Sequence, residues 1–224
     1  MRVVHNFKHY SHKNKGLRKI LPYLYLLFII SCTSTKIIIP ENSVKEYAGK
    51  LYFASYDSNK YPRDTINRGP NDSLSTFTNK WYSQHLNSLN EPIIFDNKDK
   101  NLQIIRFTKL GTWDHPFVYR IEKLKNEVKL TFSQTDGLGG YQTGKKTKYY
   151  SRKITEKKWN QVISKLDEVE FWKMRTQDPN KINDGTEWIL EVLINGKYHL
   201  VTRNSPDVYD GKKYAELCEL IEKM

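Results

Sequence analysis

Apolar residues repeat with a helical period in the segment that follows Thr155. A helix packed on a core carries apolar side chains at i, i+3, i+4 and i+7 spacing, and here they are Trp159, Val162, Ile163, Leu166 and Val169. Thr155 stands just before this stripe, where its hydroxyl oxygen can accept a hydrogen bond from a free backbone N–H group. We therefore predict an amphipathic helix that begins after Thr155.

Several other segments alternate between apolar and polar positions, which is the period of a half-buried β-strand. In one of them Phe117, Tyr119 and Ile121 fall on the same face. Asn126 separates that run from the next alternating run, so the two predict a β-hairpin. The strand-like runs are Leu102–Thr108, Pro116–Leu124, Val128–Phe132 and Lys148–Ile154.

Asn195-Gly196 gives the strongest hairpin signal, because Asn-Gly suits a two-residue turn in which both residues take positive φ. Two β-rich runs flank it, Glu187–Ile194 and Lys197–Arg203. A two-residue turn leaves no freedom of register, so the residue numbers alone predict every cross-strand pair of this hairpin.

Two further helices are predicted, one from Thr78 to Leu89 and one that begins at about Lys212. Strand-rich segments therefore alternate with isolated helices, which is typical of an α+β domain. We expect a single domain over residues 51–224, in which the helices pack on one face of an antiparallel sheet.

A basic segment and a short apolar segment precede this domain. Residues 1–19 carry basic charges and no acid, and Ile20–Ile30 is an apolar run of 11 residues before Ser31-Cys32. A spanning helix needs about 20 apolar residues, so this run is too short to cross a bilayer. A basic start, a short apolar core and a small residue before a cleavage site indicate a secretory signal peptide over residues 1–31.

The sequence Ile29-Ile30-Ser31-Cys32 resembles the lipobox of bacterial lipoproteins. The resemblance implies that Cys32 receives a diacylglycerol thioether, that the signal is cleaved before it, and that the new amino group is acylated. Several acyl chains anchor stably, at about 0.8 kcal/mol per buried methylene. The membrane would then be a partner through lipid on Cys32, with residues 32–50 as the tether. The alternative is an uncleaved signal anchor with an incidental cysteine.

Charge does not indicate a nucleic-acid partner, although the formal net charge is +12. Six of the 37 Lys and Arg residues lie in residues 1–31, which contain no acid. Cleavage of the signal would therefore remove half of the net charge. The remaining basic residues are interspersed with acids, as is usual for a solvated surface.

No acidic cluster of the sort associated with surface export follows Cys32. We therefore expect the anchored protein at the periplasmic face of an outer membrane.

Candidate sites for phosphate, metals or catalysis are weak. Gly139–Lys145 reads as G-x-x-x-x-G-K, but a phosphate loop needs Ser or Thr next, and Lys146 stands there. We interpret this segment as a loop between two strands. The mature chain has no metal-ligand spacing and no G-x-S-x-G elbow, so we predict no cofactor, no metal site and no catalytic residue. Cys218, on the apolar side of the last helix, is expected to be a buried thiol.

The predicted hairpin register suggests one binding patch. Trp188 lies opposite Arg203, and His199 shares their face, whereas Glu191 points to the other face. A guanidinium over an indole ring contributes about 0.5–1 kcal/mol at an exposed site. Trp188, His199 and Arg203 are therefore candidates for a recognition patch, and the alternative is a structural staple at the strand edge. His199 and Glu191 are not expected to form an acid–base pair.

Four stretches, which together cover residues 76–221, resemble a set of uncharacterised bacterial proteins, many of them predicted lipoproteins. The most specific stretch runs from Asp184 to Pro206, as D-G-x-x-W-x-x-E followed by N-G-K-Y-H-x-V-x-R-x-S-P. Asn204 departs from the pattern, because an aromatic residue is expected after the arginine. No activity is assigned to these proteins, so the resemblance implies a shared fold and lipoprotein status only.

These features predict an envelope lipoprotein whose domain binds a protein or glycan partner without catalysing a reaction. The full chain has 15 Tyr and 5 Trp residues, and those of the domain supply large amphipathic side chains for such a role. One alternative is a hydrolase of an envelope polymer or a small ester, in which carboxylates and His199 would converge from distant segments. Another alternative is an inhibitor or immunity-type protein.

Overall fold

The computed structural model describes residues 40–60, 69–177 and 184–224. The predicted signal peptide and Cys32 lie outside these ranges. The α-helices are α1 (Pro40–Glu46), α2 (Thr76–Ser88), α3 (Glu156–Glu168) and α4 (Lys212–Glu222). The β-strands are β1 (Ala54–Tyr56), β2 (Ser73–Ser75), β3 (Leu102–Gly111), β4 (Phe117–Leu124), β5 (Glu127–Thr135), β6 (Lys146–Ile154), β7 (Thr186–Ile194) and β8 (Lys197–Asn204). Short 3₁₀ helices are Ser58–Lys60 and Phe171–Lys173.

Six strands form one antiparallel sheet in the order β6-β5-β4-β3-β7-β8, and the short strands β1 and β2 form a separate parallel pair. The predicted α+β class with an antiparallel sheet is therefore confirmed. At the β7–β8 turn, φ is 54° for Asn195 and 76° for Gly196. The register is the one that this turn predicts, with Trp188 opposite Arg203.

Helices α3 and α4 cover one face of the sheet. As predicted, the side-chain oxygen of Thr155 caps α3 by accepting a hydrogen bond from the backbone N–H of Lys158. Cys218 on α4 is fully buried, also as predicted. The core on this face includes Ile105, Phe107, Ile121, Leu130, Trp159, Val162, Leu166, Trp188, Leu190, Val192, Leu217 and Ile221. Each such side chain contributes about 1.5–3 kcal/mol when it is removed from water.

Helix α2 lies on the opposite face, so the helices occupy both faces of the sheet and not one face as expected. Its Leu86 packs with Ile189 of β7 and Leu200 of β8. Strand β7 is buried at six consecutive positions, Trp188–Leu193. A strand that is covered on both faces is a near-continuous apolar run, and this run is interrupted by Glu191 alone. That run is the feature of the sequence that indicates a second covering layer.

The described part of the fold includes residues that precede the predicted domain boundary at residue 51. Helix α1 packs against α2, Val44 is buried, and the side chains of Ser43 and Gln84 are hydrogen-bonded at 3.4 Å. Residues 40–46, which we expected to belong to the tether, are therefore part of the domain. The buried side chain of Val44 attaches this segment to the domain. The sequence does not reveal this attachment, because the residues around Val44 are mostly polar.

A buried ion pair joins two adjacent interior strands of the sheet, β3 and β7. Arg106 of β3 and Glu191 of β7 are register partners, and both side chains are fully buried. The guanidinium contacts Glu191 Oε2 through Nε at 2.6 Å and through Nη2 at 2.5 Å. Its Nη1 donates to the carbonyl oxygen of Pro92 at 2.6 Å. Arg106 therefore fixes both the β3–β7 register and the chain that leaves α2.

Three more side chains surround this pair. The carboxylate of Glu91 accepts from Arg120 at 2.9 Å and lies 3.7 Å from Arg106, while the Tyr198 hydroxyl donates to Glu191 at 3.0 Å. Burial lowers the pKa of Arg106, but the two carboxylates outweigh it and raise the pKa above its ordinary value. The guanidinium is therefore charged, and the network neutralises a charge that would be costly to bury alone.

Removing one charge of this network is expected to cost more than removing the pair. Glu191→Gln leaves the Arg106 guanidinium buried without its carboxylate, so the free energy of unfolding should fall by about 3–5 kcal/mol. The double variant Arg106→Met with Glu191→Leu removes both charges and should be more stable than Glu191→Gln. Urea denaturation followed by circular dichroism measures both values.

The exposed pair between Lys98 and Asp96, at 2.8 Å, provides the control. Asp96→Asn should change the free energy of unfolding by less than about 0.5 kcal/mol, because surface ion pairs contribute little. A loss for Glu191→Gln no larger than that of Asp96→Asn would show that the network does not hold the strands.

Candidate functional site

The residues of the predicted patch do not form a surface. Trp188 has 1% of its area exposed and His199 has 4%, while Arg203 is partly buried. All three lie on the side of the hairpin that the sequence predicted, but α4 and the segment after α3 cover that side. The patch prediction is therefore wrong, because face alternation identifies a shared face and does not show what packs on it.

Lys109, and not Arg203, is the cation that stacks on Trp188. Its Nζ lies 4.3 Å from the centre of the indole ring. The Arg203 guanidinium lies over the Tyr214 ring at 5.8 Å, and its Nη1 donates to the carbonyl oxygen of Arg175 at 3.1 Å. Arg203 therefore has a structural role, because it holds the chain at Arg175 against β8. This is the alternative to a binding role that the sequence left open for this residue.

His199 connects two segments that are distant in the sequence. Its Nδ1 lies 2.6 Å from Oδ1 of Asp72, and its Nε2 lies 3.1 Å from the carbonyl oxygen of Met174. The ring packs between Phe171 and Trp172, at centroid distances of 5.0 and 6.0 Å. A histidine beside a carboxylate is what a hydrolase would need, but here both ring nitrogens already have an oxygen neighbour and the ring is buried. We assign His199 a structural role.

Two loops pack against each other at one end of the sheet. The loop between β3 and β4 (residues 112–116) accepts two hydrogen bonds from the glycine-rich loop between β5 and β6 (residues 136–145). The N–H of Gly139 donates to Asp114 at 3.1 Å, and the N–H of Gly140 donates to Thr112 at 3.4 Å. As predicted, the G-x-x-x-x-G-K segment is a loop between strands.

Glycine is required in this loop pair because the backbones approach closely. A Cβ atom on Gly139 would lie 2.6 Å from the carbonyl oxygen of Gly111 and 2.7 Å from Leu110. Gly144 has a φ of 68°, in the left-handed region that favours glycine. The glycines therefore serve packing between loops, and their spacing resembles a phosphate loop by coincidence.

Helix α2 supports the loop pair from the domain side. The Trp81 indole Nε1 donates to the carbonyl oxygen of Gly139 at 2.8 Å. His85, one turn later, is fully buried. Burial lowers the pKa of His85 to about 4, and the backbone of Gly139 opposes this shift only weakly. The imidazole beneath the loops is therefore neutral at neutral pH.

The loop pair carries an exposed indole ring, that of Trp113, beside the partly buried ring of Tyr141. Trp113 has 64% of its area exposed, and its ring lies 4.8 Å from that of Tyr141 with an angle of 36° between the planes. Exposed polar side chains, Asp114 and Gln142, directly follow the two rings. We call Trp113 and Tyr141 the aromatic platform. No periodicity predicted it, because a loop residue shows neither a helical nor a strand repeat.

The described residues offer neither a metal-binding group nor a reactive thiol. Within residues 40–60, 69–177 and 184–224, no group of three or more His, Cys, Asp or Glu side chains is placed to hold a metal ion. Burial raises the pKa of the Cys218 thiol well above its ordinary value, which makes the thiolate inaccessible at neutral pH. In the same ranges, no helix has the length and apolar character needed to cross a bilayer.

Comparison with known proteins gives no identity for this chain. No protein-family model matches it, and no curated protein matches it significantly. The resemblance to uncharacterised bacterial proteins therefore stays a prediction.

Acidification is expected to lower the free energy of unfolding, because His85 of α2 is buried beneath the loop pair as a neutral ring. Below about pH 6.5 the unfolded His85 ring binds a proton, whereas the folded ring remains neutral down to about pH 4. Because the unfolded state then binds more protons, stability falls as the pH decreases, by a total of about 3 kcal/mol from this residue.

The measurement is urea denaturation between pH 7 and pH 4, with the native sequence compared with His85→Leu, which cannot titrate at this position. The difference between the two unfolding free energies should shrink or change sign as the pH falls, because the native chain alone loses the His85 contribution. Parallel curves over that range would contradict a neutral, buried His85.

Proposed function

We propose that this chain is an envelope lipoprotein, held at the periplasmic face of an outer membrane by lipid on Cys32, whose domain binds a glycan through the aromatic platform. The observation that carries the binding proposal is the exposure of Trp113 on a rigid loop pair. The anchor proposal stands on the lipobox-like sequence Ile29-Ile30-Ser31-Cys32 after a basic and then apolar segment.

The rigidity of the platform supports a binding role. Loops that carry binding residues are effective when a scaffold fixes them, and here Trp81, Thr112 and Asp114 hydrogen-bond the glycine-rich loop. Little side-chain or backbone freedom would be lost on binding, which lowers the entropic cost of association. Solvent exposure of a large indole ring is otherwise unfavourable, since its burial stabilises a fold.

The size of the platform favours a sugar over a protein partner. An aromatic side chain buries about 150–250 Å², so the two tilted rings supply less than the ~800 Å² that each partner contributes to a standard protein interface. A pyranose ring matches this area, and its hydroxyl groups would meet the polar side chains of Asp114 and Gln142, which adjoin the rings in the sequence.

Substitution of the two cysteines tests the anchor. Cys32→Ser should abolish incorporation of labelled palmitate and release the protein from the membrane fraction, because a hydroxyl cannot form the thioether. Cys218→Ala is the matched control and should retain both properties, since Cys218 is buried in the domain. Mass spectrometry of the native N-terminus should give an acylated Cys32 as its first residue. A soluble, unmodified chain that retains residues 1–31 would refute the anchor.

Removal of the exposed indole ring tests the platform. Trp113→Ala should reduce cosedimentation with purified peptidoglycan sacculi by about tenfold or more, because a central aromatic contact contributes about 2 kcal/mol in many interfaces. Tyr209→Ala removes a similarly exposed ring outside the two loops and should have no effect. The far-UV circular dichroism of both variants should match that of the native chain.

Two results would overturn the glycan proposal. One is equal cosedimentation of the native chain and Trp113→Ala. The other is a photo-crosslinker at position 113 that captures an envelope protein while no sacculus binding is detected, which would identify a protein partner instead.

A further inference from the structure

The two edges of the six-stranded sheet differ in how they are protected. The outer edge of β8 is covered, because the N–H of Leu200 donates to Asp72 at 2.9 Å and the N–H of Thr202 donates to Thr176 at 2.7 Å. These contacts satisfy backbone groups that an edge strand otherwise offers to another chain. Pairing of a further strand with β8 is therefore blocked.

Strand β6 forms the other edge, and no residue of the described ranges pairs with its outer side. It is nine residues long, and seven consecutive positions, 147–153, are exposed. Tyr149 and Tyr150 have 60% and 41% of their areas exposed. A long edge strand whose outer side has no partner in the described chain is the feature that β-strand addition requires. The β5–β6 pairing shifts register between Gln134 and Thr135, so the regular part of this edge runs from Lys148 to Ile154.

The exposed edge is strongly basic. Strand β6 contains Lys146, Lys148, Arg152 and Lys153 and no acidic residue. Lys153 contacts Glu127 at 3.2 Å, but both side chains are exposed, so this pair stabilises little. Because side chains alternate along a strand, Lys148 lies on the face that α3 and α4 cover elsewhere, and Lys153 lies on the opposite face.

An aromatic row leads from the core to this edge. The register places Phe107, Tyr119, Phe132 and Tyr150 side by side on four adjacent strands. The rings of Tyr119 and Phe132 are 4.7 Å apart, and those of Phe132 and Tyr150 are 5.1 Å apart. A strand added beyond β6 would place one of its side chains against Tyr150, so the row would gain a fifth member.

We propose that β6 binds an extended, acidic peptide segment of a partner protein, which adds to the sheet as a seventh strand. Main-chain hydrogen bonds to the free edge would provide affinity, and alternate side chains would provide selectivity. Acidic side chains would meet lysines on both faces, and an apolar side chain would meet Tyr150. This proposal is independent of the lipid anchor and of the aromatic platform.

Charge and geometry favour this occupant over two others. A second copy of the chain would bring two β6 strands together, and each carries four positive charges and no negative one. A flexible polyanion would contact charges on one face, whereas those of β6 lie on both faces. An added strand, whose side chains also alternate, matches the pattern.

The test uses the full-length chain in detergent and a fluorescent ten-residue peptide in which Glu-Glu and Val-Val pairs alternate, so that each face of the added strand carries both residue types. Binding is followed by anisotropy. The double variant Lys148→Glu with Lys153→Glu should weaken binding by about tenfold or more, since opposite charges become like charges. The matched control is Lys157→Glu with Lys213→Glu, which changes the net charge equally on exposed helix positions and should change binding less than about twofold. The β6 double variant should in turn bind the same peptide with Lys in place of Glu.

A backbone-modified peptide separates strand addition from simple charge attraction. Methylation of alternate backbone nitrogens, on the side that faces β6, should abolish binding because the added strand loses its donors. Two results would overturn the proposal in favour of a polyanion surface. One is that the methylated peptide binds as tightly as the unmodified peptide. The other is that polyphosphate of equal charge displaces the unmodified peptide. Dimerisation of the native chain that the β6 double variant abolishes, measured by light scattering, would overturn it in favour of a second copy.

Discussion

The buried contact between Arg106 and Glu191 is the interaction on which the architecture depends. It lies between the interior strands β3 and β7, and its carboxylate also binds the Tyr198 hydroxyl of the edge strand β8. The same guanidinium holds the carbonyl of Pro92, where the chain leaves α2. A shift of one residue in the β3–β7 pairing would turn Glu191 to the other face and leave a buried charge without a partner.

The aromatic platform is a consequence of that fixed register. Strand β3 continues into the loop that carries Trp113, and the N–H of Thr112 donates to the carbonyl of Gly185, directly before β7. Because β3 and β7 cannot slide, the two loop bases are held in one arrangement. The glycine-rich loop then packs on this base so closely that a Cβ atom at Gly139 would collide with it. The position of the exposed Trp113 ring beside Tyr141 is thus maintained by buried groups.

The conspicuous residues of the C-terminal hairpin close the domain instead of contacting a partner. His199 joins Asp72 to Met174, and Arg203 holds the segment around Arg175. Together these contacts cover the outer edge of β8, whereas β6 at the far side of the sheet has no such cover in the described chain. The two edges of the sheet therefore differ, because other segments of the domain cover β8, whereas β6 is basic and has no described neighbour on its outer side.

The sequence alone determined what depends on neighbours along the chain. Helical and strand periods located α2, α3, α4 and the sheet strands, and the Asn195-Gly196 turn determined the β7–β8 register, because these features follow from local geometry. Tertiary structure decided everything that depends on what packs against a face. It placed α2 on the second face, buried Trp188 and His199 beneath distant segments, and exposed Trp113. Hydrophobic periodicity reports which residues share a side, but only long-range packing decides whether that side meets protein or water, since burial is a property of the whole chain.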